Sequence, residues 1–81
     1  MTKDEILDRL NNVLKDIFDL PELTINDETK ASDIAGWDSL RHIYVLVAIE
    51  QEFGISFELS ETVETPNIGG LVNIIMRELP E

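Results

Sequence analysis

Apolar residues along the chain gather into three stretches of helical spacing, separated by polar connections rich in turn formers. In the first stretch Ile6, Leu10, Val13, Leu14, Ile17 and Phe18 recur at steps of three and four, which predicts one buried stripe on a helix. Thr2-Lys3-Asp4-Glu5 ahead of it is a Thr-x-x-Glu capping box, a pattern that satisfies free amides at a helix start. Pro21 cannot continue a helix, so the first one is expected to end near Asp19.

Residues 20–37 lack that rhythm. Asn26, Asp27, Thr29, Ser32, Asp33 and Gly36 are turn formers, while Leu20, Leu23, Ile25 and Ile34 are spaced to pin the loop onto a core. So long a loop in a small domain is usually functional or holds short helical turns.

The second helix is expected to start at Asp38 or Ser39, run to about Phe53 and stop at Gly54. Its core stripe reads as Leu40, Ile43, Leu46, Val47 and Phe53, with Tyr44, Val45 and Ile49 widening the apolar surface beyond one face. A helix apolar on several sides is either central to the core or presents a sticky face to a partner. Ser60 to Glu64 is expected to add one or two helical turns. The last helix takes Thr65 as cap and Pro66 as first residue, followed by Ile68, Leu71, Val72, Ile75, Met76 and Leu79. Gly69 and Gly70 weaken its first turn, which points to close approach of another backbone. With no alternating strand pattern, the expected fold is all-α: a small antiparallel bundle of three long helices and one short one, forming a single domain over residues 1–81.

Size and charge narrow the function. An 81-residue chain builds a modest core and has little room for a deep, enclosed pocket. Its 17 acidic residues against 6 basic ones give a formal net charge of −11, which repels nucleic-acid phosphates and argues against that class of partner. The absence of cysteine removes disulfides, thiol catalysis and thiolate metal sites. The longest apolar run, Ile43 to Ile49, is too short to span a bilayer, and no apolar targeting core follows Met1. These features lead to the expectation of a cytoplasmic protein, with a monomer as the default.

The stretch that carries chemistry is Gly36-Trp37-Asp38-Ser39-Leu40, where a loop enters a helix. An enzyme can be built on paper from Asp38, Ser39 and His42, but adjacent residues at a helix start point different ways. Asp38 then cannot orient His42 while His42 reaches Ser39, and no Gly-x-Ser-x-Gly elbow supplies an oxyanion hole. A serine at a helix start is ordinarily just a cap. Trp37 reads as a loop anchor. The acids Glu50, Glu52, Glu58, Glu61 and Glu64 lack the spacing of a calcium loop and read as a solvated face, so no metal site is expected.

In order, spacing and acidity the chain resembles the acyl carrier protein family, whose signature is Asp-Ser-Leu at the start of the second helix. The likeness covers nearly the whole chain and includes Glu50-Gln51-Glu52-Phe53-Gly54-Ile55 closing that helix. The resemblance implies that Ser39 bears a covalent 4'-phosphopantetheine arm taken from coenzyme A by a phosphopantetheinyl transferase. Asp38 would help that enzyme place its metal or the hydroxyl, and Leu40 would supply an apolar contact. The arm ends in the thiol this chain lacks and holds cargo as a thioester for acyl-loading, acyl-transfer or condensing enzymes, so the protein itself is not a catalyst. Fatty-acid carriers typically place acids just after the serine, where this chain has Arg41, His42 and Tyr44. The Gly-Trp-Asp-Ser form looks more like carriers of polyketide or peptide-type pathways. Arg41, Tyr44 and Val45 are the expected partner contacts. A housekeeping fatty-acid carrier and an unmodified helical adaptor are the competing readings.

Overall fold

The computed structural model describes residues 2–56, 58 and 67–79. Three helices carry the described fold: α1 (Lys3–Phe18), α2 (Ser39–Phe53) and α3 (Ile68–Glu78), with a single 3-10 turn (Ala31–Asp33) in the long connection. The short helix expected at Ser60 to Glu64 lies outside the described residues.

Helix α1 begins as its sequence dictates. Thr2 caps it, with the Glu5 amide donating to the threonine hydroxyl and the Thr2 amide donating to the Glu5 carboxylate. The Thr2 amide, and after it the Thr2 hydroxyl, favour the ionised Glu5 carboxylate, so the Glu5 pKa lies below its ordinary value. The helix ends at Asp19, which takes the left-handed conformation (φ 54°) and closes on the Lys15 carbonyl. Ile6, Leu10, Leu14 and Phe18, four residues apart, form its buried edge.

Helix α2 buries Leu46 and Phe53 as expected, but the rest of its inward face differs from the one read in the sequence. Val45, Leu46, Ile49 and Phe53 are buried, whereas Leu40, Ile43 and Val47, read as core, stand exposed with Tyr44. Apolar residues line almost every side of this helix, so periodicity alone does not choose the inward face. The packing against α1 chooses it.

Helix α3 starts two residues later than Thr65 and Pro66 predict. Asn67 is the cap, and the Gly70 amide donates to its side-chain oxygen at 3.0 Å. The other first-turn amides are met by the long loop: Ile68 donates to the Thr29 carbonyl (2.7 Å) and Gly69 to the Asp27 carbonyl (3.0 Å). A Cβ on Gly69 would stand 2.9 Å from that Asp27 oxygen, which is why this position has no side chain. Ile25 and Ile34 from the same loop enter the core beside Ile68, Leu71, Val72 and Ile75.

Two arginines tie α1 and α2 together end to end. Arg41, in the first turn of α2, donates to the Ile17 carbonyl (3.0 Å) in the last turn of α1. Arg9, on α1, donates to the Glu52 carbonyl (3.0 Å) and carboxylate (2.8 Å) in the last turn of α2, with its guanidinium over the Phe53 ring. Each cation therefore meets unpaired carbonyls at the negative end of the neighbouring helix.

Candidate functional site

Asp38 adopts an extended conformation, and its carboxylate accepts from the Arg41 amide at 2.8 Å, making it the N-cap of α2. The next residue, Ser39, is the first of the helix and is exposed, as is Leu40. The amides of Ser39 and Leu40 have no acceptor within the helix, and they lie at the positive end of its dipole.

The loop that delivers Ser39 is fixed from behind. Gly36 (φ 92°) makes a turn that few other residues accept. Trp37 then stacks on Phe18, with ring centroids 5.3 Å apart, and its indole Nε1 donates to His42 Nδ1 at 3.1 Å. The indole is thus a loop anchor held by both helices. His42 is half-buried, not the exposed residue that its place beside the serine implies. Burial disfavours its charged form and draws its pKa below the ordinary value.

These contacts leave no catalytic relay. Asp38 is turned to the Arg41 amide and His42 Nδ1 to the indole, so neither arrangement sets up a charge relay to Ser39. What the geometry offers is an exposed hydroxyl on a rigid helix start. That donor set fits a phosphodiester: the linkage would replace the hydroxyl proton, and its anionic oxygen would lie beside the first-turn amides.

Two expected partner contacts change meaning. Val45 is fully buried, so it belongs to the core and cannot meet a partner. Arg41 is half-buried and held on the Ile17 carbonyl, because α1 ends beside it with carbonyls lacking helical donors. Tyr44 is half exposed. Spacing alone did not single out Ile43 and Val47 as surface residues; their apolar character pointed inward.

Comparison with known proteins bears on the same region. Residues 8–75 match the phosphopantetheine attachment site family. The acyl carrier protein of Petrotoga mobilis is 27% identical over 79 residues, covering 98% of this chain and 93% of that one. Acyl carrier protein 3 of Ralstonia nicotianae is 28% identical over 75 residues, 93% of this chain and 86% of its own. The solution structure of the holo acyl carrier protein from Geobacter metallireducens superposes with a TM-score of 0.82 at 33% identity, covering 89% of this chain and 83% of that one. The chain belongs to the acyl carrier protein family, whose covalent cofactor is phosphopantetheine. It is a carrier and not an enzyme. No described helix is long and apolar enough to cross a membrane.

Proposed function

We propose that Ser39 is the residue that bears the phosphopantetheine arm, and that the protein presents a thioester-bound cargo to the enzymes of a specialised, polyketide or peptide-type pathway. The observation that carries this reading is the place of Ser39: exposed, first in α2, and held by an anchored loop. Loading forms a bond from Ser39 Oγ to the pantetheine-bearing phosphorus of coenzyme A. The bond from that phosphorus to the nucleotide portion breaks, and the hydroxyl proton passes to a base of the transferase. Asp38 keeps one carboxylate oxygen on the Arg41 amide and offers the other to the transferase's metal. Leu40, exposed next to the serine, gives the arm and the enzyme an apolar contact.

The specialised pathway is favoured by the first turns of α2, where Arg41, His42 and Tyr44 stand in place of acids that would steer a basic partner. Cargo chemistry resides in the arm's thiol. The bundle's part is to hold the tether at high effective concentration before successive enzymes.

Intact-mass analysis after incubation with coenzyme A, magnesium and a broad-specificity phosphopantetheinyl transferase tests the assignment. The parent should gain one phosphopantetheine, and Ser39→Ala should gain none. A loaded Ser39→Ala variant would move the site elsewhere. An unloaded parent, with the transferase active on a control carrier, would favour an unmodified adaptor.

A further inference from the structure

Counted from its cap, α2 has Trp37 just before Asp38 and His42 as the fourth residue of the helix. In many helices an apolar staple between these two positions sets the angle at which the chain enters. Here the staple is polar: the ring centroids lie 5.9 Å apart, and the indole Nε1 donates to His42 Nδ1 at 3.1 Å. An apolar contact is non-directional, whereas a hydrogen bond also fixes orientation.

The bond closes a clasp around the serine. Ser39 lies inside the segment 37–42, and that segment is tied to the last turn of α1 on either side of it. Trp37 stacks on Phe18 with 29° between the ring planes, and Arg41 donates to the Ile17 carbonyl at 3.0 Å. Within the clasp the Asp38 carboxylate holds the Arg41 amide. Trp37 and His42 are half-buried while Ser39 is exposed, so the clasp places the serine without covering it. Without its acceptor the indole N–H would regain a partner only by turning toward water, which opens the clasp.

We infer that Trp37 and His42 are positioning residues for loading: their hydrogen bond sets the entry of α2 and with it the line along which Ser39 Oγ approaches the phosphorus. This rests on Ser39 being the attachment residue. In-line attack tolerates little misplacement, so the bond acts on the rate of the chemical step and not on how tightly the transferase binds.

The test is single-turnover loading followed by intact mass, with a broad-specificity transferase in excess over the carrier at several concentrations. Trp37→Phe keeps a ring against Phe18 and removes the donor. His42→Phe keeps a ring of like helix propensity without an acceptor, and His42→Asn keeps an acceptor, Oδ1, without the ring. Circular dichroism checks each fold, and if Trp37→Phe does not fold the two His42 variants decide. Trp37→Phe and His42→Phe should each lower the maximal loading rate about ten-fold, and the two combined should be no slower than either. His42→Asn should load within about two-fold of the parent, and every half-saturating transferase concentration should stay within the same margin. His42→Phe loading like the parent would overturn the positioning role while leaving Ser39 intact. So would His42→Asn as slow as His42→Phe, which would make the ring and not the bond responsible, or additive losses in the combined variant. A loss confined to the half-saturating concentration would also overturn it, because the two residues would then be contacts for the enzyme. A parent that gains no mass would remove the Ser39 assignment and the positioning role with it.

Discussion

Around Ser39 each neighbouring side chain has a structural task that leaves the serine to its own. Asp38 caps, Arg41 braces α1, and His42 receives the Trp37 indole hydrogen. The last of these makes stability depend on pH. A protonated imidazole has hydrogens on both nitrogens, so Nδ1 could no longer accept from Trp37. Burial draws the His42 pKa below its ordinary value in the folded protein, so the unfolded chain binds its proton first as pH falls. Stability is therefore full above the unfolded value, declines as pH drops below it, and levels off once the folded value is passed. Urea unfolding of the parent and His42→Gln between about pH 5 and 7.5 should show this slope in the parent and a flatter one in the variant.

Among the elements, α1 was almost wholly legible, because a capping box, a single stripe and Pro21 all agree on its limits. In α2 the ends were legible at Asp38 and Gly54, but its inward face was not. Leu40, Ile43 and Val47 satisfy helical spacing as well as Val45 and Ile49 do, and only the packing of the whole core separates the two sets. The bracing role of Arg41 was hidden for a similar reason, since its acceptor is a carbonyl 24 positions away. The Gly69 signal, by contrast, was readable: a poor helix former in a first turn implied a close backbone, and Asp27 is that backbone. Gly69→Ala tests the balance. Alanine gains about 1 kcal/mol in helix propensity, yet its Cβ meets a carbonyl that is itself hydrogen-bonded to this residue's amide. The contact should win, and the urea midpoint should fall by an amount equivalent to about 1–2 kcal/mol.

For the molecule as a whole, a net charge of −11 on 81 residues sets self-repulsion against a small core. The ion pairs Arg9–Glu52 and Arg77–Glu78 involve partly exposed side chains, and such pairs contribute little. Salt screens both effects, and the larger one is repulsion. The midpoint of thermal unfolding should therefore rise when NaCl is increased from about 0.02 to 0.3 M, and a fall would mean that the ion pairs dominate.

The sequence holds one tryptophan, and it is Trp37, stacked on Phe18 and bonded to His42 two residues before Ser39. All indole emission from this protein therefore arises beside the helix start that bears Ser39. With Ser39 as the attachment residue, loading should therefore be readable as a change in colour and intensity of native fluorescence, in real time and with no label attached.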